Sequence, residues 1–468
     1  MAEMVRLATL RRGLDPRDFS LVAFGGAGPL HAAEIAREVG VPRIVIPTAP
    51  GLFSAIGTML GEARHDLVQT KLRRVTELGA NEVADDFREM EARARDLIAA
   101  EGMGDDWQFQ RSVDVRFEGQ LFELTLPLPS ESGVQADLLE AQFRCAYHDA
   151  YGYDLPDHAV QLVNLRLIAK KIVYAGGWPS ADQEAASGGV RTRQIIDADG
   201  HVRDVPVYHR AVLEAGKPLH GPAIIEDFGA TIRILDGQSV ETRPSGILII
   251  TDEEVRSMSA TQSVLHDDPV TFEVVRGGLY AICEEMKSVM MRASFSPLLS
   301  LSADLSCAIL DHRGDVVAQG NDIPVHLGAM PFSAQGILEA FPIETWRPGD
   351  GVLSNDPYSG GSHLPDMTLL TPIFDGNGVV GFSASRVHWP DVGGMAAGSS
   401  AVTDEIIKEG IRVPPIRIIK EGEPERDLWT LLFANVRIPE DRVGDFKAQI
   451  ACNMRGVERV AEQIARYG

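Results

Sequence analysis

Ser20-Leu21-Val22-Ala23-Phe24-Gly25-Gly26-Ala27-Gly28-Pro29 carries an apolar run straight into a glycine-rich turn. A helical stretch, residues 30–39, and a second apolar run, Arg43-Ile44-Val45-Ile46-Pro47, follow it. A short apolar run bounded by turn residues reads as a buried strand, so the order is strand, glycine turn, helix, strand. That order defines an α/β unit. A turn that opens a helix also presents backbone N–H groups and the positive end of the helix dipole, which favour a phosphate. No Lys-Ser/Thr follows Gly28, so this is not a Walker A loop, and a full Gly-x-Gly-x-x-Gly is absent. On the residues alone, a structural tight turn and a nucleotide contact through Gly25, Gly26 and Gly28 stand as equal readings. His31 fits a helix-start hydrogen-bonding group better than a catalytic base.

Working outward, Val83, Phe87, Met90, Ala94 and Leu97 recur at helical spacing. Residues 113–117 and 121–126 alternate around Glu118-Gly119-Gln120 and predict a hairpin. A helix is expected over 137–151, with residues 162–168 and 246–251 as strands of a small accessory sheet. Residues 181–189 read as a polar loop, and the small, aperiodic run 258–263 reads as a linker. Beyond it, Val275, Leu279, Ile282, Met286 and Val289 mark an amphipathic helix. Residues 306–310 and 316–319 flank a turn at Asp311-His312-Arg313-Gly314-Asp315, and short strands are expected near 369–374 and 379–385. A last helix carries the stripe Val443, Phe446, Ile450, Met454, Val457, Val460 and Ile464. No internal repeat or heptad array is visible.

The chain has 468 residues and a formal net charge of −23. That length allows roughly two to four domains and a large core. The acidity argues against nucleic acid and anionic membranes as partners, since phosphate binding needs a basic footprint. No apolar run is long enough to span a bilayer, and Met1-Ala2-Glu3-Met4-Val5-Arg6 lacks the form of a secretory signal. Four widely spaced cysteines (Cys145, Cys283, Cys307, Cys452) fit free thiols in a reducing compartment. The expectation is a soluble cytoplasmic protein that handles small molecules.

The chemistry concentrates in two copies of His-x-x-Asp: His363-Leu364-Pro365-Asp366 and His388-Trp389-Pro390-Asp391. Imidazole and carboxylate are the ligand types of a catalytic divalent metal, and two such pairs offer three or four donors. The Pro inside each pair argues against a helical face and for a loop or strand end. Each pair abuts a Gly-Gly, Gly360-Gly361 before the first and Gly393-Gly394 after the second. The alternative is that both His are hydrogen-bonded structural groups and both Asp cap turns. Asn355-Asp356-Pro357 starts such a turn.

Several stretches together resemble a known superfamily. Asp15-Pro16-Arg17-Asp18-Phe19, residues 21–31, Pro50-Gly51-Leu52-Phe53-Ser54-Ala55, Arg64-His65-Asp66, Tyr151-Gly152-Tyr153 and Gly221-Pro222-Ala223-Ile224-Ile225-Glu226 resemble the C-terminal part of the hydantoinase A family. Residues 268–274, Ile323-Pro324-Val325-His326-Leu327-Gly328-Ala329-Met330, 355–366, 386–394 and Gly444-Asp445-Phe446-Lys447-Ala448-Gln449 resemble the start of the hydantoinase B family, which includes 5-oxoprolinases. The resemblance implies an α/β and α+β multidomain chain. Residues 1–75 would be the C-terminal part of an actin-like α/β layer and 76–255 an accessory β-rich domain. Residues 256–267 would be a linker, and 268–468 the N-terminal portion of a metal-bearing B-type domain. It further implies metal ligands at Asp304, His363, Asp366 and His388, with Zn, Mn and Fe all admissible. Asp391 and Asp356 become catalytic candidates, and Gly25, Gly26 and Gly28 contact ATP with Mg.

The implied activity is ATP-dependent hydrolysis of a cyclic amide of hydantoin, 5-oxoproline or lactam type. Ser300-Leu301-Ser302-Ala303 departs from the charged sequence common in oxoprolinases, which points away from oxoproline itself. Two alternatives accompany it: ATP-dependent carboxylation of a small ketone, and a truncated, catalytically silent assembly partner. Because the match begins late in the A family and ends early in the B family, the nucleotide cleft is expected to be incomplete. The chain alone is then expected not to hydrolyse ATP. It is expected to self-associate or to need complementary hydantoinase A or B chains.

Overall fold

The computed structural model describes residues 1–79, 81–102, 104, 106–129, 135–173, 190–196, 200–260, 268–376, 378–398 and 402–468. The chain folds as two compact units, one of residues 1–63 with 171–278 and one of 64–170 with 279–468. The expected polar loop at 181–189 lies outside the described residues. So does the end of the expected linker, 261–267, while its start is the last turn of a helix, Glu253–Ala260.

In the first unit the α/β order is realised. Strand Ser20–Val22 pairs in parallel with Arg43–Ile46, Leu21 opposite Ile44, across helix Gly28–Val39. The buried face of that helix is Ala32, Ala33, Ala36 and Val39, small side chains at three- and four-residue spacing. They join Ile44, Ile46, Ile232 and Ile234 in one core. The first strand corrects one expectation: Ser20 and Val22 are exposed, not buried. It is the edge of a five-stranded sheet, followed by Arg43–Ile46, Leu248–Asp252, Gln238–Thr242 and Leu219–His220. Apolarity along a strand does not say whether a neighbour covers its flank. Leu248–Asp252 corrects another: instead of an accessory sheet shared with residues 162–168, it lies antiparallel to Arg43–Ile46, Ile250 opposite Ile44. A four-stranded sheet of Arg191–Ile196, Val202–His209, Ala223–Asp227 and Ala230–Ile234 completes the unit.

The second unit holds a four-stranded sheet in the order Glu62–Arg74, Val160–Ile172, Gln108–Phe117, Leu124–Leu128. The expected hairpin is present, Val115 opposite Leu124, with a longer connection. Helix Glu82–Glu101 buries Val83, Phe87, Met90, Ala94 and Ile98, while Leu97 faces out.

The unit's larger sheet has seven strands in the order Val316–Gln319, Leu305–Asp311, Gly378–His388, Asp366–Asp375, Gly351–Ser354, Ile416–Lys420, Glu423–Pro424. Strand residues alternate between faces, and here both faces are covered. Cys307, Ile309, Leu369 and Val387 pack with Ile282, Met286, Phe446 and Cys452 on one side. Ala308, Leu310, Leu370 and Ala384 pack with Met330, Ala334 and Ile337 of helix Pro324–Ala340 on the other. A strand buried on both faces reads as an unbroken apolar run, which is why its period-two signal is weak.

Helix Pro439–Tyr467 closes one face of that sheet. Its apolar stripe finds partners inside the chain: Phe446 is fully buried and packs against Trp389 and Trp429. Val443, Ile450 and Val457 are partly buried against the same core. The same helix carries Gln449 and Asn453, both fully buried. Gln449 donates to the carbonyl of Met367 (3.1 Å), and Asn453 to those of Leu369 (3.0 Å) and Ser383 (3.1 Å). Among the described residues no helix is long and apolar enough to cross a membrane.

Candidate metal centre and glycine loop

Three adjacent strands end at one place. Asp304 directly precedes Leu305–Asp311, His388 is the last residue of Gly378–His388, and Asp366 is the first of Asp366–Asp375. Antiparallel pairing sets Asp366 directly opposite His388, so their side chains share a face. The N–H of His388 donates to the carbonyl of Asp304 (3.1 Å), which ties in the third strand end. His363 arrives by a tight turn in which the Asp366 N–H donates to the His363 carbonyl (3.0 Å). Neither His-x-x-Asp pair is helical. Gly360 is required just before the His363 turn, at the end of the turn Pro357–Ser359: its φ is +87°, and a Cβ there would sit 2.2 Å from the carbonyl carbon of Phe332.

His363, Asp366 and His388 each bring one donor atom within 4.8 Å of the others. His363 Nε2 is 2.9 Å from Asp366 Oδ1, and His388 Nδ1 is 3.4 Å from the same oxygen. Asp304 stands slightly apart, its Oδ2 3.9 Å from His388 Nδ1. Asp366 Oδ2 accepts from the Ser362 hydroxyl. Exposure is graded: the side chain of Asp366 is 1% accessible, His388 12%, Asp304 27% and His363 37%. The group therefore opens to solvent on the His363 and Asp304 side. Burial raises the Asp366 carboxyl, but hydrogen bonds from His326, His363 and His388 outweigh it and hold the group well below the usual carboxylate range. The bond to Asp366 raises the His363 imidazole. Two imidazole nitrogens and one carboxylate within reach of one another, with the Asp304 carboxylate beside His388, are a donor set that suits a divalent transition metal.

One member was not singled out as a ligand or catalytic residue from sequence. His326, 2% exposed in the first turn of helix Pro324–Ala340, places Nε2 3.3 Å from Asp366 Oδ1 and 3.7 Å from Asp304 Oδ1. The only local signal is a lone imidazole in an otherwise apolar helix start. Arg386, fully buried two residues before His388, donates to Thr368 Oγ1 (2.8 Å), Ser333 Oγ (2.5 Å) and the His326 carbonyl (3.4 Å). Burial pushes its guanidinium down to about 10.

The catalytic candidates Asp391 and Asp356 lie in the flanking turns rather than in the three-residue group. Asp391 pairs with Arg437 Nη1 through Oδ1 and accepts the Arg437 N–H (2.5 Å) through Oδ2. Asp356 Oδ1 accepts the Tyr358 N–H (3.0 Å), and Oδ2 lies 3.9 Å from Arg412 Nε. Both carboxylates brace the turns beside the candidate donors.

The glycine loop is of another kind. Gly25, at φ +80°, donates its N–H to the Pro50 carbonyl (2.8 Å), and nothing lies within 4 Å of a Cβ built on Gly25 or Gly28. Helix Gly28–Val39 follows Ala27, which makes no side-chain cap; Pro29 is buried, and the Leu30 N–H donates to the Ala27 carbonyl (3.2 Å). His31 is exposed. A cleft of about 870 Å³ borders Gly26 and is lined by Thr48, Arg210, Asp227, Phe228 and Thr231. Arg210 in it is already paired with Asp227 (2.5 Å).

With this geometry in hand, the comparisons identify the class. Residues 268–468 match the Hydantoinase B/oxoprolinase family and residues 1–67 the Hydantoinase/oxoprolinase family. The chain belongs to the hydantoinase/oxoprolinase superfamily. A 5-oxoprolinase of Dictyostelium discoideum is 28% identical over all of this chain and 37% of its own length. 5-Oxoprolinase 1 of Arabidopsis thaliana is 27% identical over all of this chain and 38% of its own length. The chain thus spans little more than a third of these relatives. Among solved structures, the ATP-dependent caprolactamase of Pseudomonas jessenii aligns over 54% of this chain and 38% of that one, at 25% identity and a TM-score of 0.37.

Proposed function

We propose that this chain is part of an ATP-dependent hydrolase of cyclic amides of hydantoin, 5-oxoproline or lactam type. The observation that carries the reading is the grouping of His363, Asp366 and His388, with the Asp304 carboxylate 3.9 Å from His388 Nδ1. Its family and its 5-oxoprolinase relatives support the substrate class. An unstrained amide carbonyl is a weak electrophile, so hydrolysis benefits from phosphorylating its oxygen first, which turns that oxygen into a leaving group. The loop at Gly25, Gly26 and Gly28 is the chain's contribution to nucleotide contact, with Gly25 shaping the turn and the helix start at Gly28 turned to the nucleotide. A divalent ion (Zn, Mn or Fe) held by the four-residue group would supply Lewis-acid charge stabilisation during hydrolysis.

The chain's own residues do the rest. Ser362 fixes one oxygen of Asp366, the more exposed His363 and Asp304 face the side from which a substrate enters, and Asp391 and Asp356 brace the turns beside the candidate donors. The test is metal content by plasma emission and ATP turnover in the presence of hydantoin, 5-oxoproline or caprolactam, with the neighbouring A- and B-type segments supplied. Asp366→Ala is expected to weaken metal binding by more than about 100-fold, beyond the loss seen for outer-shell partners. A chain that binds no divalent metal, or ATP turnover that answers to bicarbonate and a ketone but to no cyclic amide, would sink the proposal.

A further inference from the structure

Resting on that metal reading, we propose that His326 is a positioning residue for the donor group, with Ser306 as the hydroxyl that sets its tautomer. One imidazole nitrogen, His326 Nε2, stands between oxygens of two acids, 3.3 Å from Asp366 Oδ1 and 3.7 Å from Asp304 Oδ1. Its other nitrogen, Nδ1, lies 3.3 Å from Ser306 Oγ, and both residues are buried. A neutral imidazole has one donor and one acceptor nitrogen. With the hydrogen on Nδ1, a bare Nε2 lone pair would face two carboxylate oxygens and repel them. With the Ser306 hydroxyl donating to Nδ1, the hydrogen sits on Nε2 and points at the acids. The second arrangement satisfies every group.

The consequence falls on Asp366. A carboxylate oxygen has two lone pairs. The Ser362 hydroxyl takes one lone pair of Oδ2 and His326 one of Oδ1, which leaves the other lone pair of Oδ1 toward His363 and His388. His326 cannot easily swing away. Its helix is held to the strands by Arg386, which donates to its carbonyl and to Ser333 one further stretch along the same helix. Outer groups of this kind orient metal ligands and are worth about 10–100-fold in metal affinity.

The experiment uses Mn²⁺ as the probe on the purified chain, with affinity from calorimetry and the number of coordinated nitrogens from pulsed electron paramagnetic resonance. His326→Leu removes the donor, His326→Gln keeps an amide N–H at nearly the reach of Nε2, and Ser306→Ala releases the tautomer. Expected is a 10–100-fold weaker affinity in His326→Leu, recovery to within a few-fold in His326→Gln, and an intermediate loss in Ser306→Ala. The nitrogen count stays constant throughout, as do the metal-free circular dichroism spectra. The inference is overturned if His326→Leu binds like the wild type, or if His326→Gln loses as much as Leu and one coordinated nitrogen disappears, which would make His326 a ligand. Should His326→Leu fail to fold, the Gln and Ser306 variants decide alone. Wild-type chain that takes up no Mn²⁺, Zn²⁺ or Fe²⁺ overturns the metal reading itself, a distinct result.

Discussion

The glycine loop and the His/Asp centre are built on opposite principles. The loop is local: strand, turn and helix within residues 20–39 make it, its strand is a sheet edge, and Val22 and Phe24 beside it are 49% and 46% exposed. The centre is assembled from residues 304, 326, 363, 366 and 388, at one end of a sheet covered on both faces. A local site can be read from one stretch of sequence but leaves its other walls to be supplied. A dispersed site needs the whole fold, and once the fold is formed its donors are already in place.

That contrast can be broken most forcefully from a distance. Phe446→Ala deletes a fully buried ring against Trp389, next to His388, and should cost about 3–5 kcal/mol in urea unfolding while weakening metal binding. If metal affinity is untouched despite that loss, the centre does not depend on its surrounding core. Gly25→Ala probes the local site. Its left-handed φ makes a side chain cost about 1–2 kcal/mol, yet open space around the Cβ leaves the rest of the unit undisturbed. Metal binding should be unchanged, and a shift in it would show that the two regions are coupled.

The smallest effect concerns the sheet beside the loop. Burial raises the Asp252 carboxyl, but Arg37, Gln238 and the Val255 N–H together bring it below its ordinary value. A depressed folded value contributes stability above the unfolded one, near pH 4, and loses it as pH falls through the folded value. Arg37 is 35% exposed, so the pair is worth less than about 1 kcal/mol. The melting difference between wild type and Arg37→Gln should therefore be present at pH 7 and shrink at pH 3. An equal difference at both would assign it to something other than the ion pair.

What was legible follows the same division. The α/β order was readable because Gly25, Pro29 and the apolar runs are adjacent in sequence. His363, Asp366 and His388 were readable as donor types, since Pro365 and Pro390 exclude a helix and leave strand ends. His326 was not, because its role comes from contacts with Ser306 and Asp366, 20 and 40 positions away. The exposure of Val22 and the placement of Leu248–Asp252 escaped for a related reason: which strand flanks which is settled by long-range pairing. Asp356 and Asp391 advertised polarity, but Asn355-Asp356-Pro357 was equally the signature of a capped turn, and a turn is where Asp356 sits.

The pairing of Asp366 with His388 has one more effect. A slip of either strand by a single residue would bring Met367 or Val387 into the donors' place and turn the acid to the other face. A misaligned hairpin then lacks one of the donors an ion would need. Since whatever binds only the native form draws the population toward it by mass action, ion capture would serve as a checksum on strand alignment, rewarding correctly threaded molecules and leaving slipped ones without support.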